Sequence, residues 1–320
     1  MATKTPYSQH SLVELANRTN NGNIVQIAEI LAASNQILND IPFFQANSTL
    51  GEKITRRLAL PAGTFRRVNQ GVAVETSQTQ EVIEGLAELS ARSEIDVKLA
   101  NLSGNPAAYR QREDIAFVEG LGQTAASALF YGNVATDPEK INGLATRLPA
   151  LAAGSVYGNS GTGNDVTSIY VVKWSPNLVY GIYPPGSQIG LKMEDLGIVD
   201  ALDSNNNKFR AYATVFTWDM GIAVKDTRAI KRVANIESAG SSNTFDDDLL
   251  LRALNDLPMG AGVPVVYCNK TIKTQMDILA KDKSNVNYSA GEAFGMPVTF
   301  FRGVPVRQCD AILDTESAIS

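Results

Sequence analysis

The sequence predicts an α+β fold, and three features of its patterning predict it. Residues 105–131 keep the spacing of one apolar helix face from a capping residue to a stopping glycine. Residues 167–236 change to β-branched and aromatic runs divided by turn residues. Beyond the Gly/Ser stretch 238–242, short helical and strand-like patterns mix in one compact region.

Residues 1–22 are polar, Asn-rich toward 17–23, and read as an extended arm. Asn23 can cap a helix in which Ile24, Ile27, Leu31, Ser34 and Leu38 share one mostly apolar face. Asp40-Ile41-Pro42 stops it, because the residue before a proline is pushed out of the helical region. Residues 52–78 read as a long hairpin, and Leu60-Pro61-Ala62-Gly63 suits a type I turn. Its flanks hold too few large apolar residues to cover a core face, and an isolated two-stranded hairpin is unstable. The segment is expected to project and lie on something else, most simply another subunit. Residues 81–103 are ambiguous. Ile83, Gly85, Ala87, Leu89 and Ala91 alternate as a strand would, helical spacing fits nearly as well, and 93–102 is more helical through Ile95, Leu99 and Leu102.

At 105–131, Asn105 supplies the cap and Pro106 the first helical position. Ile115, Val118, Gly122, Ala125 and Leu129 form the apolar face, and Gly132 stands where a C-terminal cap belongs. Such a helix would be roughly 40 Å long. The Gly/Ser/Asn stretch 154–164 reads as a surface loop. Residues 168–174 read as a strand that Ser175-Pro176-Asn177 turns, with 178–183 returning. Phe209, Ala211, Ala213, Val215 and Thr217 alternate with a second set of residues as a strand, and 222–224 and 229–236 continue in that style. Thr244 or Asp246 can cap a helix to Leu257, with Asp246, Asp247 and Asp248 favouring the helix dipole. Residues 263–267 read as a strand, 271–281 as a helix, and 298–301 and 304–306 as strands around Gly303.

Composition narrows the function. The 320 residues are 44% hydrophobic, enough for a sizeable core, with net charge -5 and pI about 5.1. Nucleic-acid readers draw their affinity from many phosphate contacts, so an acidic chain without a basic block argues against one. Cys268 and Cys309 form no C-x-x-C pair, which removes zinc-ribbon and redox motifs and leaves buried free thiols of a reducing compartment. The start, Met1 to Pro6, has no apolar stretch behind it and does not read as a signal peptide. No run approaches the roughly 20 apolar residues of a membrane span. The expectation is a protein made and used in the cytoplasm, with no membrane partner.

Catalytic chemistry is hard to place. The single histidine, His10, lies in the polar arm, a poor place for a positioned base. No phosphate-binding G-x-x-x-x-G-K-[ST] occurs, and around Ser160 Thr162 stands where a nucleophile elbow needs its second glycine. Asp246, Asp247 and Asp248 point in different directions on a helix and do not converge on one ion. No cofactor, metal or catalytic residue is predicted. Arg56, Arg57, Arg66 and Arg67 flank the hairpin turn, and they read as interface groups for a neighbour's carboxylates, with Glu113, Asp114 and Glu119 of the long helix as candidates. Solvated charge or nucleic-acid contact are the other readings.

The order of parts resembles the major capsid proteins of tailed bacteriophages. Ile37-Leu38-Asn39-Asp40-Ile41-Pro42-Phe43 is similar to that family's segment before its extended loop, and Asn69-Gln70-Gly71-Val72 to the loop's return. Leu129-Phe130-Tyr131-Gly132-Asn133 resembles the end of its spine helix. Trp174-Ser175-Pro176-Asn177, Gly181-Ile182-Tyr183-Pro184 and Trp218-Asp219-Met220-Gly221-Ile222 resemble the strand region of one branch. Gly303-Val304-Pro305-Val306 with Asp310-Ala311-Ile312 resembles the ending of the axial sheet.

The resemblance implies an HK97-like capsid fold: an N-terminal arm (1–50), an extended loop (51–95), a peripheral domain (96–237) with spine helix 105–131, and an axial domain (238–320). Strands that usually end the peripheral domain would here precede the axial one, a rearranged order. It implies self-assembly into hexamers and pentamers of an icosahedral virion shell, built in the bacterial host cytoplasm and enclosing double-stranded DNA without sequence-specific binding. A separate scaffolding protein is expected, and portal and decoration proteins are possible partners. A bacterial nanocompartment shell of the same fold is the alternative, and an enzyme or a surface adhesin are more distant rivals. Some relatives cross-link their loops through a lysine. Between Glu52 and Val97 this chain has only Lys53, at the hairpin base, so no cross-link is expected.

Overall fold

The computed structural model describes residues 19–20, 23–24, 35–240, 242–282, 288–293 and 296–320. Most of the expected arm, His10 and most of the helix expected from Asn23 lie outside the described residues. Where that helix should begin, β2 (Asn23–Ile24) instead pairs antiparallel with β1 (Thr19–Asn20). The short α1 (Ile37–Asp40) ends as expected, with Ile41 extended before Pro42.

β3 (Phe43–Gln45) leads to the hairpin of β4 (Gly51–Ala59) and β5 (Gln78–Gly85). The hairpin is longer than its sequence predicts. Residues 60–77 carry no strand, and the tip turns at Val68 and Asn69, where the Gln70 N–H donates to Arg67 O at 3.2 Å, instead of at the expected Leu60–Gly63. The ambiguous stretch resolves into β6 (Ala87–Asp96) and a short α2 (Val97–Leu102), the strand reaching further than expected. Asp96 ends the strand by accepting from the Lys98 N–H at 2.7 Å.

The long helix is α3 (Pro106–Tyr131), capped by Asn105, whose Oδ1 accepts from the Ala108 N–H at 3.2 Å. It is followed by α4 (Leu144–Arg147), β7 (Val156–Gly158), β8 (Val166–Trp174), β9 (Val179–Tyr183), β10 (Lys192–Leu202), β11 (Lys208–Val224) and β12 (Ile230–Glu237). The chain closes with α5 (Asp247–Asn255), β13 (Val263–Cys268), α6 (Lys270–Asp282), β14 (Tyr288–Ala293), β15 (Met296–Phe301) and β16 (Val304–Gln308). The cap of α5 is Asp246, which accepts from the Asp248 N–H at 3.0 Å.

Packing divides the chain into two units. Among the described residues, one comprises 19–20, 23–24, 88–126 and 188–219; the other comprises those within 35–87, 127–187 and 220–320. In the first, the helix unit, Ile95, Leu99, Ala100 and Tyr109 form a small core closed by Tyr212, and Phe117 stacks on Phe216 at 5.6 Å. β10 and β11 form its antiparallel ribbon, with a register shift at Asp195/Gly197. That bulge breaks the two-residue alternation, which is why sequence patterning does not reveal β10.

In the second, the sheet unit, β8 is buried throughout and lies between β12 and β13, antiparallel to both. β13 runs parallel to β16. Ile169 and Val171 of β8, with Val233, Val266 and Phe301, pack against Leu250 and Ala253 of α5 and Ile272 and Met276 of α6. Alternation along the strand sends Tyr170 the other way, to Phe130 at 5.2 Å. β8 and β9 do not form the hairpin the turn implied. They pair only at Trp174 and Val179, and β9 runs antiparallel to β11 instead.

The division expected at 237/238 therefore runs through one sheet. β8 and β12, assigned by chain order to the earlier part, are hydrogen-bonded into the same ladder as β13 and β16.

Two contacts close the sheet unit. At the end of α3 the backbone turns so tightly that Gly143 N–H donates to Gly132 O at 2.8 Å and Thr146 Oγ1 donates to the same oxygen at 2.6 Å. A Cβ on Gly143 would stand 2.6 Å from Phe130 O, so close approach of backbone requires glycine here. Close approach, not a left-handed cap, also accounts for Gly132. At the C-terminus, Glu316 N–H donates to Val166 O, and its buried carboxylate accepts from Arg232 Nη2 at 2.9 Å and from the hydroxyls of Ser168 and Tyr131. Burial, with this carboxylate beside them, holds the Tyr131 and Tyr170 hydroxyls protonated far above the usual range.

Candidate functional site

The hairpin has a fixed base and a bare tip. At the base Ile54 is buried with Ala46, Tyr180, Ile182 and Ala223. Glu52 accepts from Tyr180 OH at 3.0 Å and from the Asn47 N–H at 2.8 Å. Glu84 is held in a two-pronged pair by Arg147, at 2.8 and 2.7 Å, and receives Arg56 Nη2 at 3.1 Å. Arg56 also donates to the Val224 carbonyl. One buried carboxylate thus orders two guanidiniums, and these tie the hairpin to α4 and the end of β11.

Beyond the base every residue from 57 to 81 is exposed. Leu58, Leu60, Val68, Val72 and Val74 are among them, and Phe65 is fully exposed at 111%. So many large apolar side chains left exposed along one segment make it a candidate interaction surface.

The predicted interface arginines separate by role. Arg56 is turned into the base, Arg57 is exposed on β4, and Arg66 and Arg67 belong to the irregular tip, where Arg66 Nη1 donates to Gln70 O at 3.1 Å.

The helix unit presents a second surface. Ile115 and Val118, expected on the core face of α3, are 57% and 44% exposed. The buried side of the helix is set instead by Tyr109, Leu121, Ala125, Leu129 and Phe130. Ile115 and Val118 line a groove of about 580 Å³ with Met193, and the predicted residues Asp114 and Glu119 stand beside them. Glu113 is half-buried on the same helix. Burial raises the Asp114 carboxyl above its usual range, partly offset by Arg110, and its Oδ1 is buried without a hydrogen-bond partner. Arg110 donates to Asp195 Oδ1 at 2.6 Å and holds that carboxyl below the usual range.

Sequence reasoning missed Glu84, Arg147, Met193 and the apolar tip residues. Large apolar side chains within a turn-rich, arginine-flanked segment were the available signal for the tip. Among the described residues no group of three or more His, Cys, Asp or Glu side chains is placed to hold a metal ion, and no helix is long and apolar enough to cross a membrane. The arrangement offers surfaces for protein contact.

Comparison with known proteins gives these surfaces a context. The family model described as "Major capsid protein GP7" matches residues 19–320. A near-atomic cryo-EM structure of bacteriophage Epsilon15 is similar over 98% of this chain and 98% of its own, at 31% identity and a TM-score of 0.77. A structure of Mycobacterium phage Bobi is similar over 73% of this chain and 100% of its own, at 11% identity and a TM-score of 0.43. The holo-SrpI encapsulin complex from Synechococcus elongatus is similar over 75% and 99%, at 10% identity and a TM-score of 0.44. No curated protein matches the chain.

Proposed function

Since the chain belongs to the family of the major capsid protein GP7, with an HK97-like fold and self-assembly into capsids, we propose that it forms the icosahedral shell of a tailed-phage virion and encloses double-stranded DNA. The observation that carries this reading is the hairpin: a firmly held base presents an apolar tip that its own subunit does not cover. A neighbour in a closed ring supplies the missing cover, because head-to-tail interfaces return to their starting point.

In this reading the tip and Arg57, Arg66 and Arg67 lie over a neighbour, with Glu113, Asp114 and Glu119 as the facing carboxylates. Arg56, expected among those contacts, serves the hairpin base. Each contact is modest, and closure multiplies them, since local concentration replaces bulk concentration once neighbours are bound. Assembly takes place in the host cytoplasm with a separate scaffolding protein, and portal and decoration proteins complete the particle.

Electron microscopy of the protein, expressed alone and with a candidate scaffold gene, tests the proposal. Icosahedral particles or ring-shaped capsomers, and DNA in particles from infected cells, are the expected result. A monomer or dimer at high concentration under both conditions overturns it. Particles holding a cargo enzyme and no DNA would replace the virion reading with a nanocompartment.

A further inference from the structure

Residues 316–320 cross the sheet unit as a strap held by polar contacts. Glu316 N–H donates to Val166 O at 2.9 Å, Ala318 N–H to Gly163 O at 2.8 Å, and Ile319 N–H to Asn235 Oδ1 at 2.9 Å. Asn235 Nδ2 returns a hydrogen bond to Ile319 O at 2.8 Å. Glu316 is the strap's only buried residue, while Ser317, Ala318 and Ser320 are exposed. Segments with few buried apolar contacts are those that open locally, without unfolding the core behind them.

The strap holds the chain that leaves α4 at two points. Ser320 O accepts from the Leu151 N–H at 3.3 Å. The Glu316 carboxylate accepts from Arg232 Nη2, and Arg232 Nη1 donates to Leu148 O at 2.9 Å. Leu148 ends α4, and Arg147 just before it makes the two-pronged pair with Glu84 that fixes the hairpin root. The same guanidinium donates to Ile222 O at 3.3 Å. A helix as short as Leu144–Arg147 has no stability of its own, so its place is set by what holds its two ends. Gly132, through Gly143, holds the entry; the strap holds the exit.

We propose that residues 316–320 are a latch for the hairpin. Docked, they keep α4 where Arg147 meets Glu84. Lifted, they free the exit of α4 and loosen the root of β4 and β5. Such coupling is a free energy shared by two sites and acts in both directions, so a broken Glu84 pair also loosens the strap. For its consequence the latch rests on the shell reading above: a hairpin with a loose root docks on a neighbour at a higher ordering cost. The coupling itself lies within one chain and is independent of assembly.

Amide hydrogen exchange of the unassembled full chain, read by mass spectrometry, tests the latch. Deleting 316–320 together with Arg232→Met releases both grips and leaves no buried cation unpaired. Ala318→Pro, at an exposed position, removes one strap hydrogen bond and keeps the subunit testable if the deletion does not fold. Glu84→Gln tests the reverse direction. The deletion is expected to speed exchange at the root, in 51–57 and 82–85, by at least tenfold, and Ala318→Pro by a smaller factor at the same place. Exchange in β10 and β11 up to Asp219 stays unchanged, and Glu84→Gln speeds exchange at Glu316, Ala318 and Ile319. A root that exchanges at the wild-type rate once the strap is lifted overturns the latch. So does an equal rise in β10 and β11, which would be general loosening, or a strap that Glu84→Gln leaves untouched. A coupled root in a subunit that forms no particles supports the latch and counts against the shell reading alone.

Discussion

Replacing Glu316 by Gln tests what holds the C-terminal segment on the sheet. The carboxylate is 5% exposed and its main partner, Arg232, is 6% exposed. The guanidinium keeps Leu148 O at 2.9 Å, Ser168 Oγ at 3.0 Å and the face of Tyr170, all uncharged, so the variant leaves a cation buried without a counter-charge. Removing one partner of a buried pair costs about 3–5 kcal/mol. At about 2–4 °C per kcal/mol for a unit of this size, the melting temperature of the unassembled subunit falls by about 6–20 °C. The backbone bond from Glu316 N–H to Val166 O survives, so the change isolates the side chain. Replacing Arg232 and Glu316 together by Met is expected to recover much of the loss, because apolar residues of similar volume often substitute for a buried pair. Fluorescence-detected melting of the three proteins decides it. A drop below about 2 °C for Glu316→Gln would refute the reasoning, since the pair would then not be desolvated enough to matter.

Gly143→Ala places a methyl 2.6 to 2.8 Å from backbone atoms of Phe130 and Gly132 while its φ of -75° suits alanine, so a purely steric loss of about 1–3 kcal/mol is expected in chemical denaturation. Phe65→Ser, at a fully exposed tip position, leaves the subunit's melting temperature unchanged; if the tip docks on a neighbour, it weakens each contact by about 1.5–3 kcal/mol, read as a rise in the concentration needed for particles. Burial pushes the Cys309 thiol up to about 12 and that of Cys268 higher still. A raised thiol pKa leaves almost no thiolate at pH 8, so neither cysteine reacts with iodoacetamide until the subunit unfolds, and rapid labelling of the native protein would contradict their placement. Mature particles are expected to run as a single monomer band on denaturing gels, because the only lysine from 52 to 97 is Lys53, which pairs with Glu81 at the hairpin base.

Elements with strong local signals were legible in the sequence. The capped helix Pro106–Tyr131, the buried strand Val166–Trp174 and the Asp246-capped α5 each carry their periodicity and their boundary residues in the same short segment. What was not legible depends on distant partners. The bulge at Asp195/Gly197 hides β10 from a two-residue pattern, and the pairing of β8 with both β12 and β13 joins parts that chain order separates. In the candidate site, the arginines were visible as a charged group around a turn, but only the fold assigns Arg56 inward to Glu84 and leaves Arg57 outside. Ile115 and Val118 mislead for a related reason: periodicity reports an apolar face and cannot say whether the chain's own core or another surface covers it.

That ambiguity is itself what an assembling subunit requires. A chain that buried Leu58, Leu60, Phe65, Val68, Ile115 and Val118 within itself would fold more tightly and have less with which to bind. Leaving them exposed is workable only if the rest of the subunit holds its shape without them. The hairpin base does this: Ile54, Glu52 and the Glu84 pairs with Arg147 and Arg56 fix the root of the two strands. A tip that docks on a neighbour would begin with its root already placed, and preorganisation of this kind would reduce the ordering cost of docking. Charged and hydrogen-bonded at its root, apolar at its end, the hairpin separates the interactions that fold one chain from those that remain for the next.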